Sequence, residues 1–552
     1  MNVATMLLER ARESPDTPAI VEQRHGNTVT MSFGELELRS CQAARSLHAA
    51  GVTKGSPVLL FHPATADLYI ALVALLRIGA VAVVIDPSGG RALLRDACAL
   101  LPPAALFASP KAHLLRLVTP ALRRIPARFT SARALWSPLV PARLLTASER
   151  DRIDEMHDGS CVDCADDDLA LVTFTSGSTG RPKGARRTHG ILRAQHLALC
   201  DVAAQRGETD LVTLPIVVLS NLASGAVTVL PGTSTARPRD VNASAVARQI
   251  DMTKVTRITT SPAIVETIAD HAMRRSASFN GLRAIVTGGG PVFPDIIARA
   301  RRAAPHARVI SVYGSTEAEP IAHIGDGDIS PADMVTMESG AGLLVGRPVG
   351  TVQLRIVREH GARAMADTDE AGLAALVLPP DDVGEIVVAG DHVVQDYVNG
   401  IGDIETKFRV GGTVWHRTGD AGRIDDQGRL WLLGRCSAAV RDARGTIHPF
   451  AVECAVRSRL GLREVALVQW KGERVLVVCT PVNNTPTVDQ VQTALPWAGI
   501  NRVTRLARIP MDARHNSKVN YPALLRALAR SSWHGLRTHP LSGTNQHDTG
   551  PR

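Results

Sequence analysis

Aromatic side chains are scarce: nine Phe, six Trp and four Tyr make up 3% of the 552 residues. The core must therefore be built from Ala, Val, Leu and Ile, and rows of stacked rings of the kind that hold single-stranded nucleic acid are excluded. No nucleic-acid partner is expected. Cysteine is also sparse, with eight scattered residues of which Cys161 and Cys164 form one isolated CxxC pair. Without a second pair or nearby histidines this predicts neither a zinc cage nor a redox site, and reduced thiols are the default. No apolar run is long enough to cross a membrane, and the opening MNVATMLLERARESPD carries charges where a secretory signal needs an apolar stretch, so a cytoplasmic location is expected. Acidic residues are missing altogether between Asp96 and Glu149, where Lys111, Arg116, Arg123, Arg124, Arg128, Arg133 and Arg143 stand. That 97–148 stretch suits an acidic protein or a membrane surface; the plainer reading is a solvated arginine-rich face broken by prolines.

A hydrophobic content of 45% and a charged content of 21% place the chain among globular proteins, and 62 Lys+Arg against 53 Asp+Glu leave a net charge of +9 that favours anionic ligands. The segment LYIALVALLRIGAVAVVID, ending at Asp86, reads as a helix, a break at Gly79 and a buried β-branched strand. The same alternation returns in LALVTFT, RITTSPAIVETIADHAM and LRAIVTGGG followed by PDIIARARRAA, and predicts an α/β fold with a mostly parallel sheet faced by helices. After about Leu343 short strands with turn residues between them, VQLRIV, GEIVVAG and RLWLLG, predict smaller antiparallel sheets or a barrel. Beyond Gly434 the pattern predicts an α+β unit, with strands at 465–470 and 475–480 and a helix over 521–530. The expected division is a large N-terminal domain over 1–434, made of stacked α/β subdomains with a β-rich subdomain, a small mobile α+β C-terminal domain over 435–531, and a disordered tail over 532–552.

The densest chemical signal is TFTSGSTGRPKGARRTHG, residues 173–190, in which seven of the ten residues from Thr175 to Gly184 are Gly, Ser or Thr. Such a loop exposes backbone N–H groups and hydroxyls and lets an anion approach closely, and Lys183 adds a mobile positive charge. These are the parts of a phosphate cradle, but Pro182 before the lysine and Gly184 after it rule out a Walker-type loop. His189 is expected to cap or pack rather than to act as a base.

The run from Thr175 to Gly184 resembles the signature loop of the AMP-forming acyl-adenylating superfamily of acyl-CoA synthetases, adenylation domains and luciferases. Further blocks follow in that superfamily's order: LLRIGAVAVVIDPS at 75–88, GGGP at 288–291, YGSTE at 313–317, GEI at 384–386, HRTGD at 416–420, GRLWLLGR at 428–435 and a near-terminal Lys518. The resemblance spans about residues 5–530. It implies that a carboxylate attacks the α-phosphate of ATP, giving an acyl-adenylate and pyrophosphate, with neutralisation of phosphate charge as the main demand on the protein. It implies that Thr175, Ser176, Gly177, Ser178, Thr179, Gly180 and Lys183 hold the β- and γ-phosphates. It places Gly288, Gly289 and Gly290 as a backbone wall facing adenine, Tyr313 on the base with Gly314 and Ser315 beside it, and Thr316 on the α-phosphate. Glu317 would hold Mg²⁺, Asp420 the two ribose hydroxyls, Arg435 the ribose from the domain junction, and Lys518 would bridge carboxylate and phosphate during adenylation.

The chain departs from that pattern in several places. Lys518 follows His515-Asn516-Ser517 where a glycine is usual before the lysine, Ser437 stands where Asp or Lys is usual at the hinge, and Gly445 comes ten residues after Arg435 instead of nine. In LPIVVLSNLASG a Val218 replaces a frequent His or aromatic residue, and Val218, Ala223, Ser224 and Gly225 suit either an alkyl-chain pocket or ordinary core packing. One subgroup, the bacterial olefin β-lactone synthetases, resembles this chain at RHN-x-K, in the ten-residue spacing, in the RLW-x-x-GR strand and around Asp86-Pro87. The implied function is ATP-dependent activation of a long-chain β-hydroxy acid followed by AMP-releasing closure to a β-lactone. A fatty acyl-CoA or acyl-carrier-protein ligase, which alone would need CoA, is the alternative, and a non-catalytic anion- or membrane-binding protein is a remote one.

Overall fold

The computed structural model describes residues 1–24, 26–85, 89–146, 160–176, 182–233, 240–361, 363–512 and 517–535, with the side chains of 175, 176 and 531–535 left aside. Two large sheets form most of it. In the seven-stranded sheet the strands Pro57–Phe61, Val81–Ile85, Ala105–Ala108, Ala127–Thr130, Arg143–Leu144 and Leu169–Ser176 all run parallel, and Pro182–Thr188 closes one edge antiparallel to Leu169–Ser176. The fourteen-stranded sheet has a parallel stretch that includes Thr209–Val212, Arg257–Thr260, Ala284–Gly288 and Arg308–Ser315.

Helices Phe33–His48 and Ala66–Arg77 lie between the sheets. Their shared core joins Phe33, Leu36, Leu47 and Tyr69 to Ile20 of one sheet and to Val58, Leu60 and Ala82 of the other. Helix Ala66–Arg77 is buried from Tyr69 to Arg77 without a break, which is why it reads as apolar on every side instead of carrying a stripe. Aliphatic side chains supply nearly all of this packing, as the scarcity of aromatics requires.

The strands after Leu343 are not a separate sheet. Ala318–Gly325 turns back antiparallel on Arg308–Ser315 and pairs next with Leu343–Pro348, so Gln353–Val357, Gly384–Ala389, Lys407–Val410, Thr413–Ile424 and Leu430–Arg435 extend the parallel sheet into an antiparallel one. Local pattern separates the two regions because their alternation differs. The pairing that joins them is non-local and leaves no local signature.

A short turn, Cys436–Ala438, then leads to the hairpin Val440–Asp442 and Gly445–Ile447 and to a three-stranded sheet of Val465–Trp470, Glu473–Val478 and Arg502–Arg505. Its faces alternate with period two. Val465 and Leu467 pack with Val452 and Val456 of helix Pro449–Leu460, whereas Ala466 and Val468 pack with Leu524 and Leu528 of helix Tyr521–Gly535. Residues 536–552, most of the expected tail, lie outside the described residues. Among the described residues no helix is long and apolar enough to cross a membrane.

Candidate functional site

The C-terminal ends of the parallel strands meet the antiparallel extension at one place, and most of the expected site residues that are described converge there. Strand Ala284–Gly288 runs straight into the glycine wall. Gly288 pairs with Val312 of the neighbouring strand, and a side-chain carbon on Gly288 would fall 2.6 Å from the Val312 carbonyl oxygen. The same addition at Gly290 would fall 2.3 Å from Cβ of Ser517. These glycines thus admit close backbone approach, and at Gly290 the approaching element is the segment that carries Lys518.

Tyr313, buried at the end of strand Arg308–Ser315, donates its hydroxyl to Asp420 Oδ2 at 2.9 Å. The other carboxylate oxygen of Asp420 lies 3.2 Å from Arg435 Nε. Strand pairing sets this geometry, since Asp420 and Arg435 are register partners in adjacent strands. Arg435 also donates to the Thr418 carbonyl at 2.7 Å, which fixes its fork. One Asp420 oxygen accepts the Tyr313 hydroxyl and the other is ion-paired with Arg435, and each retains a lone pair for another donor, as a vicinal diol requires.

Lys518 approaches the same cluster from the C-terminal unit. Its backbone N–H is held by Asp512 Oδ1 at 2.8 Å and its carbonyl accepts from Asp512 N at 2.7 Å. Burial together with the neighbouring Arg435 pushes its ammonium pKa down, while Asp420, Asp512 and Glu317 act in the opposite direction. A desolvated cation here is therefore placed among carboxylates with unused acceptor capacity.

Glu317 follows the strand end on a turn in which Ser315 Oγ accepts from the N–H groups of Glu317 and Ala318. Burial alone would raise its pKa, but His416, the Tyr397 hydroxyl at 2.7 Å and Lys407 hold it at about 2, so it is ionised at neutral pH. Thr316 contributes its carbonyl to Arg187, which also binds the Thr173 hydroxyl. His416, by contrast, is buried and depressed to about 3, and is neutral.

Lys183 differs from the expectation of a mobile loop charge. It sits in strand Pro182–Thr188, opposite Thr175, buried, with its ammonium 5.5 Å from the Tyr397 ring centroid and its stem against Gly402. Lys407 lies over the same ring at 5.6 Å, and burial lowers its pKa to about 8. Tyr397 and Lys407 were not legible as site residues, because a lone tyrosine and a lone lysine carry no spacing signal. Gly177, Ser178, Thr179 and Gly180, together with Asp86, Pro87, Arg514, His515 and Asn516, lie outside the described residues.

His189 is fully buried, its Nδ1 accepts from Val3 N at 3.1 Å, and burial lowers its pKa to about 4. It ties the N-terminal segment to the fold. Cys161 and Cys164 are free thiols, and among the described residues no group of His, Cys, Asp and Glu could cage a metal ion. Glu317 nevertheless fits a Mg²⁺ carried mainly by phosphate oxygens, which needs few protein carboxylates.

A pocket opens at the glycine wall. Gly288, Gly289 and Gly314 form one end, and Leu199, Val202, Leu214, Val217 and Val286 continue it, with Thr259 and Glu319 also in the lining. Of the two readings open to these residues, Val218 takes core packing, whereas Ala223 lines a second pocket. Val218 is buried in the core between the sheets, and its neighbour Val217 faces the pocket at the glycine wall. Ser224 and Gly225 line no pocket described, and Gly225 instead ends helix Pro215–Ser224 in a left-handed conformation with φ of 77°.

Residues 7–398 match the family model described as AMP-binding enzyme. The chain is 30% identical to the olefin beta-lactone synthetase of Stenotrophomonas maltophilia over 94% of its length and 96% of the relative's. It is 31% identical to that of Xanthomonas campestris at the same coverage of both chains. In three dimensions it resembles amide bond synthetase McbA from Marinactinospora thermotolerans, with a TM-score of 0.76 at 21% identity over 95% of this chain and 99% of that one. The chain therefore belongs to the AMP-binding enzyme family, the AMP-forming ligases that activate acids as acyl-adenylates.

Proposed function

We propose that this ligase activates a long-chain β-hydroxy carboxylic acid and closes it to a β-lactone. The observation that carries the adenylation half is the cluster around Asp420: its two oxygens held by Tyr313 and Arg435, with Lys518 brought alongside and Glu317 ionised nearby. Asp420 holds the ribose hydroxyls of ATP, and Tyr313 and Gly288–Gly290 flank the base. Glu317 holds Mg²⁺, which neutralises phosphate charge when bound. Lys183 and the residues from Thr175 to Gly180 would bind the outer phosphates. A carboxylate oxygen attacks the α-phosphorus and the bond to pyrophosphate breaks, with Lys518 stabilising the charge shared by carboxylate and phosphate.

The apolar pocket beginning at Gly288, Gly289 and Gly314 supports a fatty chain on the activated acid. Its β-hydroxyl oxygen then attacks the acyl carbonyl, gives up its proton, and displaces AMP; a tethered nucleophile needs no external thiol. The two olefin beta-lactone synthetases over nearly the whole chain support this second half. Domains divided at Arg435, with the Cys436–Ala438 turn as hinge, would let the C-terminal unit withdraw Lys518 afterwards. Acid-dependent pyrophosphate release tests the first half: we expect it with long-chain acids and Mg²⁺, and its absence with every acid would overturn the reading.

The basic stretch further supports contact with an anionic membrane surface. Arg116 and Arg128 are spent on backbone carbonyls, but Leu117, Val118, Leu135 and Leu139 are exposed among the remaining cations. Co-sedimentation with anionic vesicles at low salt, lost at high salt, is the expected outcome. Equal recovery with neutral vesicles would contradict it.

A further inference from the structure

Tyr397 connects two charged parts of the site that the chain keeps far apart. It is 2% exposed and follows strand Gly384–Ala389. Its backbone is tied to the phosphate side, through an antiparallel bridge with Ala185 of strand Pro182–Thr188, the strand that carries Lys183. Beside it Asp396 pairs with Arg186 of the same strand at 2.6 Å, and the Tyr397 N–H donates to Asp403 Oδ1 at 3.0 Å. The side chain is tied elsewhere. Its hydroxyl donates to Glu317 Oε1 at 2.7 Å, and a backbone bond from Val394 N to the Glu317 carbonyl, at 2.8 Å, fastens the same segment to the same residue.

The ring meets two cations. The ammonium groups of Lys183 and Lys407 lie 5.5 and 5.6 Å from its centroid, within the range over which an aromatic face attracts positive charge. Lys407 also donates to the Val394 carbonyl, and the stem of Lys183 lies against Gly402, where a side-chain carbon would fall 2.6 Å from it. Both lysines are buried. A buried ammonium close to a buried carboxylate gains most by pairing with it, because their attraction grows as water is excluded. A carboxylate locked to a lysine is a poor ligand for a metal ion. Here the ring, and for Lys407 a backbone carbonyl, meets the lysine charge, while a neutral hydroxyl takes one oxygen of Glu317.

We infer that Tyr397 is a positioning residue for Mg²⁺ at Glu317: its hydroxyl fixes one carboxylate oxygen so that the other meets the ion, and its ring keeps Lys183 and Lys407 from claiming the carboxylate. This rests on the role proposed for Glu317 above. Tyr397 itself touches neither the ion nor the reacting atoms; it acts through Glu317.

The test is Mn²⁺ binding, read from the paramagnetic resonance signal of the free ion, to wild-type protein, Tyr397→Phe and Glu317→Gln, each saturated with α,β-methylene ATP. The Mg²⁺ dependence of pyrophosphate release is measured alongside. Phenylalanine keeps the ring and its cation contacts and removes only the hydroxyl. We expect Tyr397→Phe to bind Mn²⁺ about tenfold or more weakly, the scale on which a partner that orients a metal-ligating group acts, and its kcat to recover as Mg²⁺ is raised. A merely structural tyrosine predicts a lower Tm with unchanged Mn²⁺ affinity, and that result would overturn the inference while leaving Glu317 in place. A loss of kcat that added Mg²⁺ does not relieve would do the same. Unchanged Mn²⁺ affinity in Glu317→Gln would overturn the Glu317 reading itself, and the inference with it.

Discussion

In the proposed reaction Asp420 and Lys518 divide the work at the site in ways that substitutions separate. Removing the Lys518 ammonium takes away charge stabilisation needed mainly in the transition state, so Lys518→Ala should lower adenylate formation by about a hundredfold or more while ATP still binds. Pyrophosphate release near the wild-type rate would show that the lysine merely flanks a helix. Asp420→Ala instead removes acceptors of charge-assisted bonds worth about 1.5–3 kcal/mol each, and should raise the KM for ATP tenfold or more. Retained ATP affinity in the soluble variant would make Asp420 a structural link between Tyr313 and Arg435. That the two residues come together was readable because each stands in a block, HRTGD or the near-terminal lysine, whose order along the chain carries information. Tyr397 and Lys407 were not, since their relation to Glu317 arises from contacts 80 and more residues away in sequence. The sequence marks Lys183 as a candidate phosphate-side cation, but its burial could not be read there, because its setting depends on Tyr397 and Gly402.

At the scale of elements, the sequence locates the strands Val465–Trp470 and Glu473–Val478 and the start of the helix at Tyr521 within a residue or two. It could not find how they are fastened. Glu453 on helix Pro449–Leu460 is fully enclosed between Leu467 N, at 3.2 Å, and the Tyr521 hydroxyl, at 3.3 Å, and burial raises its pKa to about 7. An unfolded glutamate loses its proton near 4.5, so between 4.5 and about 7 the folded protein keeps a proton that the unfolded chain has released. Stability must therefore fall as pH rises through that window, and the loss is complete above it. Glu453→Gln, which preserves both hydrogen bonds without the charge, should flatten the Tm profile across the window and raise Tm on its alkaline side. A variant with the wild-type slope would place the titration elsewhere.

For the whole molecule, the sequence divides the chain into a large α/β part and a small α+β part but says nothing of how they dock. Arg457 of the C-terminal unit binds both oxygens of Asp295 at 2.8 Å, Glu266 at 2.8 Å and the face of Phe293 at 4.6 Å, and Arg463 reaches Asp270 at 2.7 Å. These bonds hold the arrangement in which Ser517 touches Gly290 and Lys518 faces Asp420. Arg457→Ala should loosen it, speeding proteolysis near the Cys436–Ala438 turn and lowering adenylation while leaving the larger part's thermal transition in place. Unchanged cleavage would mean the docking rests on apolar contacts alone.

The central claim is that the same enzyme makes the adenylate and lets the substrate's own hydroxyl discharge it. Purified protein given ATP, Mg²⁺ and a long-chain α-alkyl-β-hydroxy acid, with and without CoA, tests it directly by quantifying AMP and acyl product. The account predicts equimolar AMP and β-lactone at a rate indifferent to CoA. AMP release that requires CoA, yields a thioester and proceeds equally with acids lacking the hydroxyl would contradict it.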